Sequence, residues 1–484
     1  MRKYLLVITF TIFLLPFKKE LFSQNPINVI ESNLLEQLII NDTTHQKFSG
    51  NVIIEYSNFN ITCDTVLIDD SRDLIRAWGN TSIFNDTINC QSDSVTIIQK
   101  LNQMVFFKNS VIETQEMQIR SHEIQYDFET KDISYIKGGK VKNEDYQIES
   151  KLFHHNTNNK ISNFKEDVEI EGDDLRISGK NIIFSNDTII FKGPTVIHNE
   201  ELIINCINGY FKKSQKLELF DFVELNSNNQ KIKAQYLNRN VKEDQNFFKK
   251  NIEIQVDTST YIYGDQLNQI NNQSSVTGNC IVVLYNNNDS TTISGDEINI
   301  DEKNDILEIN NNIFMRGTNI AGKCEKMLFK NQYTTIQMIS EPILWLDQSQ
   351  LIGKEIILQT MNNNLDSLSI DKNPFIIYPN DSIPYYNQIK GKSLRGKFKK
   401  GQIEYINILG NGELKSFTLD DQTNKININN TKSSSIRLDF IKNDIKKVIC
   451  RGGIESSSRD FKQNDPLLLD KKIIYLEDFD LKKR

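Results

Sequence analysis

Basic charge is in short supply in this 484-residue chain: 57 Lys and Arg face 64 Asp and Glu, a net charge of −7. A nucleic-acid binder normally carries a basic footprint, so that balance argues against one. With 8 Pro and 21 Gly, the chain is neither collagen-like nor a Pro/Gly linker. The apolar fraction of 38% falls short of an average soluble domain, so a thick multilayer core is not expected. Beyond Phe17 no run approaches the roughly 18 apolar residues of a membrane helix. The six Cys, at 63, 90, 206, 280, 324 and 450, form no CxxC pair, which removes zinc ribbons and thioredoxin motifs. Several of them fall in the repeat described below and read as small buried residues.

Catalytic signatures are equally scarce. His122-Glu123 lacks the second His of a zincin helix. His154 and His155 are neighbours in a strand pattern and so point to opposite faces. No GxSxG elbow and no GxxxxGK[ST] loop occurs. No catalytic residue, cofactor or metal is expected. Asp64, Asp93, Asp265 and Asp296 recur after a small residue, but Lys151, Lys180 and Lys354 take the same place elsewhere. That place reads as a solvated outer face, not as a set of calcium ligands.

Aromatic and β-branched residues are plentiful, and they are periodic. The template apolar-x-small-x-x-apolar fits Ile61-x-Cys63-x-x-Val66, Ile119-x-Ser121-x-x-Ile124 and Ile148-x-Ser150-x-x-Phe153. It continues through Ile177-x-Gly179-x-x-Ile182, Ile262-x-Gly264-x-x-Leu267 and Ile293-x-Gly295-x-x-Ile298. An early copy spans Ile30 to Leu35, and weaker ones centre on Ser92, on Cys206 after Ile204, and on Cys324 before Met327. From Ser32 to Gly353 the small residue returns about every 29 residues, and the step from Gly353 to Gly391 is longer, at 38. A fixed period of this size marks a repeat architecture.

Within each copy the residues alternate with period two, which indicates strands with one buried and one wet face. Apolar residues fall two before the small residue, then three and often five after it, as in Ile182 and Phe184 or Met327 and Phe329. The parity flips across the small position, so the strand turns a corner or carries a bulge there. A second corner recurs at Gly50, Gly79, Asn109, Gly139, Gly193, Asn251 and Gly278, residue types that tolerate unusual dihedrals. Stacked antiparallel, such strands make two facing sheets joined along the bends, a V-shaped or jelly-roll trough. Twelve repeats would reach on the order of 100 Å, from strand spacing. Periodicity alone leaves a parallel β-helix open as a rival.

The sequence also suggests export. Arg2 and Lys3 precede an apolar run from Tyr4 to Phe17, and cleavage is expected near Ser23-Gln24. No Cys lies within the first 60 residues to carry a lipid. The expected organisation is a signal peptide at 1–24, a repeat trough at 25–360, a segment continuing or capping it at 361–455, and a polar tail at 456–484. Lys390, Lys392, Arg395 and Lys397 sit in a basic run that reads as a charge-protected strand or as a contact for an anionic partner.

The starts Phe48-Ser49-Gly50-Asn51-Val52 and Trp78-Gly79-Asn80-Thr81, and the apolar-x-small-Asp of Ile61-Thr62-Cys63-Asp64, resemble the OstA-like family. That family includes LptA and the N-terminal domain of LptD. The stretches Tyr386 to Lys392 and Ile408 to Glu413 resemble the C-terminal part of its longer members. The resemblance covers about residues 27–455. The chain departs from the pattern in its length and in the many repeats that lack the Asp, and no barrel follows.

The resemblance implies an all-β, elongated repeat of bent antiparallel strands (the OstA-like β-jellyroll or β-taco). It implies a periplasmic, outer-membrane-associated protein that binds and transports lipopolysaccharide or a related lipid. Ile61, Val66, Ile119, Ile124, Ile148, Phe153, Ile177, Ile182, Phe184, Ile204, Ile262, Leu267, Ile293, Ile298, Met327 and Phe329 would line its trough. Sheet-edge pairing with LptC-like or LptD-like partners, or head-to-tail self-association, would extend it. A secreted or surface structural β-solenoid, adhesin-like and without a lipid, is the alternative. A closed, self-packed core would favour it.

Overall fold

A computed structural model describes residues 27–40, 43–173, 175–227, 230–285, 289–361, 364–380, 382–399, 402–420, 422–441 and 444–483. The expected signal peptide at 1–24 lies outside the described residues. Strand makes up 74% of the protein and helix 2%, so among the described residues no helical layer backs the sheets. The pairings are antiparallel, which excludes the rungs of a parallel β-helix. The chain divides into two compact units, one ending at Asp173 and one beginning at Asp174.

In the first unit, Thr43–Tyr56 pairs with Phe59–Asp69, followed in turn by Leu74–Phe84, Ile88–Ile98, Gln103–Thr114 and Gln118–Asp127. Each of these strands is bent. Between Ser49 and Val52 the register slips, because Gly50 and Asn51 together oppose Asp64 alone. Gly50 and Asn51 take φ of +83° and +48°, the left-handed region that Gly and Asn reach most easily. The device returns at Gly79-Asn80, at Lys108-Asn109 and at Glu166-Asp167; the corner expected at Gly139 falls one residue earlier, on Gly138. A Cβ on Gly79 would lie 2.3 Å from Asp64 Oδ2, so the carboxylate crossing the corner also requires glycine there.

The bulge explains the flipped parity. Ile61, Cys63, Val66 and Ile68 are all buried: the extra residue belongs to the neighbouring strands, at Gly50-Asn51 and Gly79-Asn80 opposite Asp64, and the bend there brings Val66 inward three residues after Cys63. Each strand therefore supplies one half to each of two inward-facing half-sheets. From Asp132 to Asn156 the corners open completely, and the halves become the separate strands Asp132–Tyr135, Gly139–Lys142, Gln147–Ser150 and Leu152–Asn156. Ile161–Glu171 rejoins them.

In the second unit the same pattern runs from Arg176–Ser185 through eleven successive strands to Ile320–Lys330. Its corners lie at Gly193, Asp221, Lys250-Asn251, Gly278-Asn279 and Asn311-Asn312. The corner carboxylates do structural work: Asp265 accepts from Asn279 Nδ2 and Asp296 from Asn312 Nδ2, each at 2.7 Å. In the first unit Asp93 holds Asn109 in the same way, at 3.2 Å. Among the described residues no group of three or more His, Cys, Asp or Glu is placed to hold a metal ion.

Past Lys330 the halves separate again. One half-sheet receives Ile343–Leu346, Ser349–Ile352, Phe375–Pro379 and Tyr386–Lys390; the other receives Thr335–Ile339, Glu355–Met361, Asn364–Ile370 and Ser393–Lys399. Gln402–Asp420 pairs with the last strand of both and reunites them. Residues 361–455 thus extend the bent-strand pattern within this unit. After them comes the stretch expected as a polar tail, 456–484. Its first part belongs to the strand Glu455–Lys462, and Leu468 and Ile474 further on are buried in an apolar cluster.

The cysteines are free, and five of the six are buried. Burial pushes the Cys63 and Cys280 thiols up to about 11, and those of Cys206 and Cys324 up to about 12.

Candidate functional site: the inward faces and their mouth

The inward face of each unit is a set of side-chain rows that cross the strands. In the first unit one row runs Ile54, Ile61, Ile83, Cys90, Ile112, Ile119, Val141, Ile148 and Ile170, each opposite the next. In the second unit Ile262, Val282, Ile293 and Met315 align on one half-sheet, and Leu267, Val276, Ile298, Ile309 and Met327 on the other.

All the trough-lining residues read from the sequence point inward. Fifteen of the sixteen are at most 3% exposed, and Phe184 is half-buried. Burial to this degree makes them a closed core, the arrangement that the structural-solenoid alternative also expects. The first repeat is different: Ile30 and Leu35 are exposed, because their strands, Ile27–Glu31 and Leu34–Ile40, stand at the edge of the unit and pair only with Thr43–Tyr56 among the described residues.

Opposite the bends, the hairpin tips of the two half-sheets meet at a mouth. In the first unit the mouth is shut by aromatic side chains. Tyr56 meets Phe128 and Phe59 meets Tyr126 edge-to-face, each pair with ring centroids 5.8 Å apart, and all four rings are buried. Such contacts are favourable beyond their buried area. An ion pair between Lys160 and Glu116 crosses the same mouth on the wet side.

In the second unit the Gln230 amide donates to Glu302 across the mouth at 3.4 Å, and beyond it the tips part. They leave a cavity of about 800 Å³. Its lining is mixed: Met315, Ile336, Leu358, Phe398 and Ile403 are its buried apolar residues, while the more exposed Asp257, Asp289, Asp347, Asp366 and Lys399 stand at its rim. The rim carboxylates already have work. Asp366 takes the Lys397 ammonium at 2.6 Å. Burial pushes the Asp257 carboxyl up, but donors from Ser259 and Thr260 outweigh it and hold the group below the usual range. Tyr333, at a tip with φ of +62°, has its hydroxyl pushed up to about 12 by burial and by the carboxylates of Asp305, Asp257 and Glu302.

Sequence reasoning found the rows and missed the mouth. The signal was present: Tyr333, Met361 and Leu365 are large apolar residues in or beside hairpin tips, where Asn, Asp and Lys otherwise prevail. The basic run has carboxylate neighbours. Lys390 faces Glu413 at 3.9 Å, Arg395 pairs with Asp371 and Lys397 with Asp366, so the run is not an uncompensated cationic patch. The carboxylates come from other segments of the chain, out of reach of a local reading. Lys392 packs across the Gly410 corner, and Lys400 lies outside the described residues. His154 and His155 do face opposite ways: His154 is exposed beside Asp132, while His155 is buried against Ser162 Oγ at 2.8 Å.

Bent-strand repeats and paired apolar inward faces define a β-jellyroll of the repeat type. Residues 24–180 match the model of the OstA-like protein family, and residues 261–364 match that of the LptA/LptD N-terminal domain lipopolysaccharide transport proteins. Each match covers less than half of the chain, and together they support an OstA-like/LptA family protein. Among solved structures it is similar to LptH, the LptA-homologous periplasmic component of the lipopolysaccharide transport device of Pseudomonas aeruginosa. The identity is 14%, over 21% of this chain and 76% of that one, with a TM-score of 0.19, too low to argue from. No curated protein matches the chain. Among the described residues no helix is long and apolar enough to cross a membrane.

Proposed function

We propose that the chain is a periplasmic carrier of lipopolysaccharide or a related lipid, with no catalytic role, that helps to bridge toward the outer membrane. The observation that carries this reading is the cavity of about 800 Å³ at the mouth of the second unit, with buried apolar residues beside more exposed charged ones in its lining. Acyl chains enter there while the head of the lipid stays in water among the rim residues. Each CH2 taken from water contributes about 0.8 kcal/mol, so chains are held without specific polar contacts. Deeper occupation, along Ile262, Ile293, Ile298, Met327 and Phe329, requires the two inward faces to separate. In the first unit it also requires the Tyr56–Phe128 and Phe59–Tyr126 contacts to part.

Partners of the same class would join by strand addition at the edges. Among the described residues, Ile27–Glu31 and Leu34–Ile40 in the first unit pair on one side only, as do Asp444–Arg451 and Glu455–Lys462 in the second. Open edges of this kind are templates for pairing with another chain. Native mass spectrometry of the exported protein with purified lipopolysaccharide tests the carrier reading. The expected result is a lipid adduct that Met315→Asp weakens. A folded protein that takes up no lipid at any concentration would leave the structural-solenoid reading in its place.

A further inference from the structure

On most strands the outward side chains are wet, but one outward row in the second unit is not. Trp345, Gln350, Ile377, Gln388 and Lys415 lie opposite one another on successive strands. They alternate with the inward row Leu344, Leu351, Ile376, Ile389 and Leu414. Their exposures are 5%, 1%, 1%, 0% and 6%. The C-terminal tail crosses this row, and its main chain satisfies the buried polar groups. Gln350 donates to the Asp480 carbonyl at 2.7 Å and accepts from the Lys482 N–H at 2.8 Å. Gln388 donates to the Ile474 carbonyl at 2.9 Å and accepts from the Leu476 N–H at 2.7 Å. The Lys415 ammonium donates to the Ile473 carbonyl at 2.6 Å, and burial pulls its pKa down.

Each glutamine therefore grips a carbonyl and the N–H two residues on, as a neighbouring strand would. Leu468 and Ile474 anchor the segment in an apolar cluster with Phe417, Ile426, Ile428 and Phe461. Uncovered, these amides and the ammonium would be buried without partners or opened to water, and buried polar groups without partners are costly.

We propose that this row is a peptide-docking groove and that the tail is its exchangeable plug, so that the tail of a second copy docks there in trans. The clamps read backbone and two apolar anchors, which any chain in the same extended path presents. The plug is joined to the sheet only through the turn at 463–464, after the exposed edge strand Glu455–Lys462. Every copy carries both groove and plug, so a second copy is the partner whose chemistry fits. This contact uses the outer face, not the sheet edges, and does not depend on the lipid reading.

A specific protease site placed at 463–464 in the full chain tests it. After cleavage, a labelled synthetic peptide of residues 463–484 should replace the severed tail, read by fluorescence anisotropy. Gln350→Leu with Gln388→Leu should weaken its binding at least tenfold while the circular dichroism of the sheet stays unchanged. In parallel, the uncut chain should form a concentration-dependent dimer that the same double substitution removes. A severed tail that never exchanges, peptide binding indifferent to the glutamines, cleavage that unfolds the chain, or an uncut chain monomeric at every concentration would each overturn the proposal.

Discussion

Alanine at three corner glycines separates two costs that the bends impose. Gly79, Gly193 and Gly278 have φ of +81°, +91° and +76°, so each substitution pays the left-handed penalty of an L-residue, roughly 1–2 kcal/mol. At Gly193 nothing else is added, because the nearest atom to a new Cβ is Lys180 Cβ at 4.0 Å. At Gly79 the new Cβ would sit 2.3 Å from Asp64 Oδ2 and 2.7 Å from Asp64 Cβ, and at Gly278 it would sit 2.7 Å from Asp265 Oδ2. Overpacking of that kind adds about 1–3 kcal/mol. Gly193→Ala should therefore cost about 1–2 kcal/mol, and Gly79→Ala about 2–5 kcal/mol. Asp64→Gly removes the three nearest atoms, so a double-mutant cycle with Gly79→Ala should recover about 1–3 kcal/mol. Local stability read by hydrogen exchange of the peptides around each corner suits the assay, since repeat arrays need not unfold in one step. Equal losses at Gly79 and Gly193, or a cycle with no coupling, would refute the claim that the crossing carboxylate dictates glycine at the corner.

Three further outcomes follow from burial. His155 is buried and its pKa is lowered, chiefly by desolvation, so the unfolded chain binds the proton more readily. The first unit should be fully stabilised by this group above the unfolded value of about 6.5 and lose stability as pH falls below it; urea titrations of wild type and His155→Phe should diverge there, and parallel curves would contradict the assignment. Ile298→Ala, at a position 0% exposed, should cost about 2–5 kcal/mol, whereas Ile281→Ala, outward and 37% exposed, should change urea stability by about 1 kcal/mol or less. A thiol reagent at pH 8 should label Cys450 rapidly in the folded protein and the five buried cysteines only after denaturant is added; fast labelling of Cys206 or Cys324 would show that the inward faces open readily.

The repeat was legible because its determinants are local. Ile61, Cys63, Val66 and Ile68 carry the inward rows, and Gly50-Asn51 carries the bulge, all within one copy. The mouth was not legible, because it joins tips far apart in sequence: Tyr56 meets Phe128, and Gln230 meets Glu302. How far one half-sheet is offset against the other decides such pairs, and no short window encodes that offset. The ion pairs of Lys390, Arg395 and Lys397 were hidden for the same reason. The long step between Gly353 and Gly391 did mark a real change, the stretch where the two halves run as separate strands. The tail, polar in composition, owes its place to Gln350 and Gln388, whose alternation with apolar neighbours gave no hint that the outer face was covered.

The central claim is that lipid acyl chains lie between the inward faces and enter at the open mouth of the second unit. In-cell photocrosslinking at Leu358, which lines the cavity, and at Gln359, its outward and exposed neighbour, tests that claim most directly. The account predicts a lipopolysaccharide adduct at Leu358 and none at Gln359. Adducts at both positions alike, or none at Leu358, Met315 and Leu284 with the protein folded and exported, would contradict it.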